Sequence, residues 1–233
     1  MPSTTTARIY ITLIVLAGAA TFGMGLLHPT LTHPVRLLAL LVVSVISSRL
    51  KVMLPGMKAN MAVSLPFLLL ASAQDHLYPA VVIAAAATVA QSIGKQRGST
   101  KILQTVFNAS AVVLATAAAY GVQHQSRFGS AHSVLLLLIG AAAYFLVNTV
   151  LVAGVVALTG GQSAGRAWSS IFALTYVYYV LSAGIGAVIL GFGIRQSVLL
   201  LSLLVMYGAY RSFQLYFDTM SSILLPQIAV AGD

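Results

Sequence analysis

The stretch "SVLLLLIGAAAYFLVNTVLVAGVVAL", residues 133–158, carries no charged side chain and only a few polar ones. A helix rises about 1.5 Å per residue, so a helix of this length crosses a hydrocarbon core of roughly 30 Å. In lipid, backbone polar groups are satisfied only in helices or closed barrels, and the alternating pattern of a barrel strand is absent. The stretch therefore predicts a transmembrane helix.

Similar apolar stretches recur along the whole chain. The sequence is 59% hydrophobic and 6% charged, whereas soluble domains are about a quarter charged, and its mean hydropathy is +0.97. We therefore expect an all-α, polytopic transmembrane bundle of eight spans that forms a single integral membrane domain over residues 1–233. The predicted spans are Arg8–Leu27, Val35–Leu54, Met57–Gln74, Leu77–Gly94, Gln104–Val122, Ser133–Leu158, Trp168–Ile194 and Ser197–Phe217. The third span is short and contains Pro66, so a re-entrant segment is the alternative there.

The basic residues predict the orientation of these spans. With eight spans, one side of the membrane holds Arg8, Arg49, Lys51, Lys58, Lys95, Arg97, Lys101, Arg166 and Arg211, and the other holds Arg36, Arg127 and Arg195. Cytoplasmic loops carry the excess of Lys and Arg, so both termini are predicted to be cytoplasmic. The positive charge is then explained by topology and by contact with anionic lipids, and it does not indicate nucleic-acid binding.

Groups that commonly carry catalysis are scarce. The carboxylates are Asp75, Asp218 and Asp233, at span edges or in the tail, and the chain has no cysteine. Paired acid–base groups and thiolate metal sites are therefore excluded, and no HExxH, P-loop or GxSxG motif occurs. His28, His33, His76, His124 and His132 fall in the outer loops, where solvated side chains are the simplest interpretation. We expect no enzymatic activity, and the sequence identifies no metal site or cofactor.

Polar side chains inside the predicted spans are the candidate site residues. They are Gln91, Gln104, Asn108, Asn148, Tyr176 and Tyr179. Such residues are costly in lipid and mark either hydrogen bonds between helices or a small-molecule pocket, here in the cytoplasmic half. The tyrosines of span seven also leave open a pigment or quinone site. In the same span, Ser182 with Gly186 and Ala187 with Gly191 form small-xxx-small pairs, which favour close helix packing.

Four segments carry a resemblance to a known class of protein. They are "LPGMKANMAVSLPFLLLASA" (54–73), "KILQTVFNASAVVLATAAAYG" (101–121), "YFLVNTVLVAGVVALTGGQSAGRAWSSIFALTYVYYVLSAG" (144–184) and "YRSFQLYF" (210–217). Together they resemble the membrane-integral N-terminal region of bacterial HD-GYP and GGDEF cyclic-di-GMP signalling proteins. In that class a similar helix enters the cytoplasm and connects to an effector domain. Few residues follow Phe217, and Pro226 interrupts them, so we expect no effector domain here.

Three functions remain open at this point. The first is a sensory, scaffolding or accessory subunit of the bacterial inner membrane that packs against other integral membrane proteins. Its predicted contacts are the small-residue faces of spans four and five, "AVVIAAAATVAQS" and "NASAVVLATAAAYG", with Arg97, Lys101 and Arg211 contacting a partner or anionic lipid. The second is a vitamin-like small-molecule binding component of a transporter. The third is a pigment- or quinone-associated subunit of an electron-transfer complex.

Overall fold

A computed structural model of the chain describes residues 4–27, 29, 33–53, 60–73, 76–92, 99–124 and 133–212. Helices make up nearly all of this part, which agrees with the predicted all-α class. They are α1 (Thr4–Leu27), α2 (Pro34–Arg49), α3 (Leu65–Ser72), α4 (Leu77–Ser92), α5 (Ser99–Gln123), α6 (Ser133–Gly160), α7 (Ala164–Gly191) and α8 (196–212). Two short strands, β1 (Lys51–Met53) and β2 (Asn60–Ala62), form an antiparallel hairpin.

Within the described part, three helices are long and apolar enough to cross a membrane. These segments are Thr5–Leu27, Ile102–Gln123 and Ser133–Gly160. Residues Ala164–Ala173 and Thr175–Gly191 of α7 meet at a bend of 51°, and they make a fourth span if the pair crosses together. The lengths and compositions of these helices support a membrane protein.

The prediction of one continuous helix over Met57–Gln74 is wrong. Residues 60–62 are strand β2, and the helix in this region is only the eight-residue α3. Pro66 lies in the first turn of α3, where its missing N–H costs no hydrogen bond and its fixed φ suits the helix. The second predicted span also ends early, because Leu50 adopts an extended conformation after Arg49 and leads into β1.

Helix α3 lies at the centre of the bundle. Each of its residues is buried, and it contacts α2, α4, α5, α6 and α7. The N–H of Val63 donates to the carbonyl of Leu50, so the start of α3 lies beside the end of α2. The Tyr178 hydroxyl on α7 hydrogen-bonds to the backbone of Leu65 and to Ser182. A helix this short is unstable alone, and its neighbours must supply its stability.

The small-residue faces of α4 and α5 are mostly internal. The two helices pack against each other, and α1 packs against both. On α5, Ser110 approaches α1 so closely that a Cβ on Gly18 would stand 2.5 Å from the Ser110 Cβ. These faces therefore form much of the core, which differs from their predicted role as partner contacts. The buried alanines are Ala80, Ala84, Ala87, Ala90, Ala111, Ala115 and Ala119.

Helix α8 lies at the edge of the described bundle. Leu199 and Met206 are its buried residues, and Val198 and Leu203 pack partly against the core. Its opposite face leaves Leu200, Leu201, Leu204, Val205 and Tyr207 exposed. This is the pattern of a peripheral helix with one face toward its own chain and the other toward lipid or a partner.

Candidate functional site

The clearest polar contact between two helices joins α6 and α7. Asn148 Nδ2 donates to the Tyr179 hydroxyl over 2.8 Å, and both side chains are half-buried. In lipid this hydrogen bond satisfies polar groups that would otherwise be costly. Asn148 therefore makes a hydrogen bond between helices, which is one of the two interpretations given by the sequence.

A second polar contact joins the same helices closer to the start of α7. Trp168 Nε1 donates to Thr149 Oγ1 over 3.2 Å, and Thr149 Oγ1 in turn donates to the Phe145 carbonyl over 2.7 Å. Thr149 is buried and follows Asn148 directly. Adjacent residues of α6 therefore fix α7 at two points, which sets the register between the two helices.

Aromatic rings fill the space around these hydrogen bonds. The Phe145 ring lies 4.6 Å from the Tyr179 ring and 5.3 Å from the Phe172 ring, measured between centroids. Phe172 also contacts Trp168, at 5.2 Å, and stacks on Tyr176, at 5.9 Å. Tilted aromatic pairs of this kind contribute about 0.5–1.5 kcal/mol each. We call Phe145, Asn148, Thr149, Trp168, Phe172 and Tyr179 the α6–α7 seam.

The two cavities described below do not bring the other predicted site residues together with Asn148 and Tyr179. Tyr176 is 46% exposed at the edge of the seam, and Gln104 is exposed on α5. Gln91 on α4 and Asn108 on α5 are half-buried. None of the six predicted residues lines either of the two cavities described below.

Two further side-chain contacts hold the bundle at different places. The Tyr10 hydroxyl of α1 donates to the Leu151 carbonyl of α6 over 3.0 Å. Ser72 Oγ lies 2.8 Å from the Leu69 carbonyl and 3.0 Å from Oε1 of Gln123, whose buried Nε2 has no partner within the described ranges. Turning the Gln123 amide lets its nitrogen donate to Ser72 while Ser72 donates to Leu69, and the amide oxygen then takes the buried position that has no partner within the described ranges.

Among α1, α4 and α5 lies an apolar groove of about 210 Å³. This volume is below the roughly 300–1,000 Å³ of most small-molecule sites. Its polar groups are two hydroxyls, which is few for a vitamin-sized ligand. The groove is lined by Gly18, Ala19, Phe22, Ala85, Val89, Thr105, Val106, Ala109, Ser110 and Val113.

A second cavity, of about 290 Å³, lies where α2 and α8 begin. It is lined by His33, Pro34, Val35, Arg36, Ile194, Arg195 and Gln196. Sequence reasoning assigned Arg36 and Arg195 only to the outer loops and missed this cluster. The signal available was their shared position, since each arginine lies near the start of a span predicted to begin on the same side.

The predicted cytoplasmic contacts are only partly described. Arg97 lies outside the described residues, and Lys101 lies in the first turn of α5 without a described side chain. Arg211 is exposed near the end of the described part of α8. Of the predicted external histidines, His33 and His124 are exposed and His76 is half-buried, whereas His28 and His132 lie outside the described residues.

Comparison of the chain with protein-family models, with curated proteins and with solved structures finds no match. The polar contacts described above join the helices of the bundle to one another, and the exposed face of α8 is apolar.

Proposed function

We propose that this protein is a non-enzymatic integral membrane protein that acts as a sensory or accessory subunit by packing against partner membrane polypeptides. The supporting observation is the outward face of α8, which is apolar and contains small residues. On this face Gly208 and Ser212 are both exposed and form a small-xxx-small pair, and a Cβ on Gly208 would meet open space.

No residue in the described part of the chain gives a steric reason for glycine at position 208. Glycine inside a helix costs about 1 kcal/mol relative to alanine, and nothing described lies close enough to require it. In membranes, glycine and serine four residues apart let the backbone of a second helix approach closely. A transmembrane helix of a partner polypeptide is therefore the occupant that this face fits.

The resemblance to bacterial signalling proteins supports a sensory role and a location in the bacterial cytoplasmic membrane. The Tyr210–Arg211–Ser212 segment that carries part of this resemblance closes the described part of α8. A helix that packs weakly on its own bundle can shift against it, and this makes α8 the element to pass a signal to a partner. An exposed Arg211 fits an anionic lipid headgroup or an acidic group of that partner.

We also propose an arrangement of eight crossings with both termini cytoplasmic, in which the third crossing is made by the short helix α3 and the segment before it and not by one continuous helix. Two side-chain contacts and one cavity support it, because each joins residues predicted near the same side of the membrane; the Trp168–Thr149 contact instead joins the start of span seven to the middle of span six. The Ser72–Gln123 contact joins two predicted outer ends, and the Tyr10–Leu151 contact joins two predicted inner ends. One cavity contains the starts of both α2 and α8.

The chain has no cysteine, so single introduced cysteines report accessibility without interference. Cysteines at 95–101 and in the C-terminal tail should be shielded from external reagents, and those at 123–132 should be labelled; external labelling of the tail would refute this topology.

The alternative functions, a vitamin-like transport component and a pigment- or quinone-associated subunit, gain no specific support from the two cavities. Both would need polar or aromatic side chains gathered around a ligand-sized space. Asn148 and Tyr179 instead hydrogen-bond to each other, and the apolar groove is small.

Purification in a gentle detergent from native membranes, followed by mass spectrometry, tests the proposed function. We expect other membrane polypeptides to co-purify and the Gly208→Leu variant to recover them poorly, because a branched side chain prevents close approach of two helices. Gly184→Leu on α7 is the matched control, since a Cβ there also meets open space. Equal recovery with both variants would refute the α8 contact, and a chain that purifies alone with a tightly held small molecule would favour the transport component.

A further inference from the structure

The cavity at the start of α2 and α8 is lined by basic side chains, unlike the apolar groove among α1, α4 and α5. Two separate segments form it, residues 33–36 and 194–196. Arg36 is half-buried, whereas Arg195 and His33 are exposed. Two arginines from distant parts of the sequence therefore line one space of about 290 Å³.

The described residues do not neutralise this charge. Asp75, Asp218 and Asp233 are the acidic side chains of the whole chain, and all three lie outside the described ranges. Within those ranges, neither the Arg36 nor the Arg195 side chain makes a hydrogen bond or an ion pair with another residue. Like charges gathered in this way favour an anionic ligand between them.

The backbone of α2 and α8 also favours an anionic ligand in this cavity. Helix α2 begins at Pro34, and its N-cap residue, His33, makes no side-chain cap hydrogen bond. The first N–H groups of a helix lack partners within the helix, and the helix dipole places partial positive charge there. Because α8 also begins at this cavity, two helix N-termini and two arginines favour the same kind of ligand.

We infer that this cavity binds a phosphate group, supplied by a phospholipid headgroup or by free phosphate. One bidentate arginine can satisfy the two oxygens of a carboxylate, whereas a phosphate has oxygens for two guanidinium groups and for backbone N–H donors as well. A bound phosphate would connect α2 to α8, which otherwise packs on the bundle through few side chains. This inference does not depend on the proposed partner function.

The test uses the full chain purified in detergent, with Arg36→Gln, Arg195→Gln and the control Arg166→Gln. Arg166 also lies in the first turn of a helix, α7, and is exposed, but it is not part of the cavity. Thermal unfolding is followed while inorganic phosphate replaces chloride at constant ionic strength. Native mass spectrometry then measures how much phosphatidylglycerol each variant retains after reconstitution and re-extraction.

If free phosphate is the ligand, it should stabilise the wild type and the Arg166 variant, and its affinity should fall by about tenfold or more in either cavity variant. If the ligand is a headgroup, free phosphate should have little effect, and retained phosphatidylglycerol should fall by a similar factor only in the cavity variants. If Arg36→Gln does not fold, Arg36→Lys replaces it and keeps the charge but loses the fork of donors. Equal phosphate response and equal lipid retention in wild type, cavity variants and control would overturn the inference.

Discussion

Helices α3 and α8 are both apolar, yet they occupy opposite environments. Each residue of the eight-residue α3 is buried, whereas Leu199 and Met206 are the buried residues of α8 over 196–212. Composition alone does not distinguish the two environments, because both sequences are apolar enough for a membrane segment. Their neighbours do: α3 is surrounded by five other helices, and α8 contacts its own bundle along one narrow face.

Because of this difference, α3 mainly stabilises the fold, whereas the exposed face of α8 can contact a partner. A fully surrounded helix can be changed only at the cost of the packing around it. A peripheral helix can change its exposed face with little effect on the fold, so that face is free to serve a partner.

Phe67→Ala in α3 should destabilise the protein most. The Phe67 side chain is fully buried at the centre of the bundle, and removing such a ring costs about 3–5 kcal/mol through lost contacts and the cavity left behind. Leu201→Ala in α8 is the control, because this side chain is 61% exposed and its loss should cost less than about 1 kcal/mol. Thermal unfolding in detergent measures the stability of both variants. A similar loss of stability in the two would contradict the view that α3 stabilises the fold and that the exposed face of α8 does not.

Gly18→Val should have the next largest effect, because α1 is largely exposed but approaches α5 closely at this point. A Cβ on Gly18 would stand 2.7 Å from the backbone Cα of Ser110, so the two helices must separate, at about 1–3 kcal/mol. Gly23→Val lies in the same helix and meets open space. We expect a lower unfolding temperature for the first variant alone; equal temperatures would show that α1 does not need this contact.

The Asn148–Tyr179 hydrogen bond should contribute less. Hydrogen bonds between membrane helices contribute about 0.6 kcal/mol on average and up to about 1.7. In a double-mutant cycle, Asn148→Leu and Tyr179→Phe should show a coupling free energy in this range, while Tyr176→Phe should show no coupling to Asn148→Leu. If Tyr176 couples as strongly as Tyr179 does, the contact in the seam has been assigned to the wrong residue.

The longest helices were predictable from the sequence alone. Residues 133–158 were predicted as one span, and α6 covers Ser133–Gly160, because a long uncharged stretch has few alternatives in lipid. The region around Pro66 was not predictable in the same way. A proline inside a kinked span and a proline in the first turn of a short buried helix have the same local sequence, and only the surrounding helices select between them.

The site was predictable in its residue types but not in its pairings. Asn148 and Tyr179 were candidates because polar side chains in a span need partners, but the sequence does not say that they would bond to each other. Arg36 and Arg195 were missed as a pair because they lie in different spans and become neighbours only when α2 and α8 begin at the same cavity. The exposed position of Gly208 likewise depends on which face of α8 the bundle covers.

Photo-crosslinking in native membranes shows directly whether the exposed face of α8 contacts a partner polypeptide. A crosslinking residue at Val205, which is 63% exposed on α8, is compared with one at the fully buried Leu69 of α3. We expect Val205 to form adducts with another membrane polypeptide and Leu69 to form none. Adducts with lipid alone, or only between two copies of this chain, would contradict this expectation.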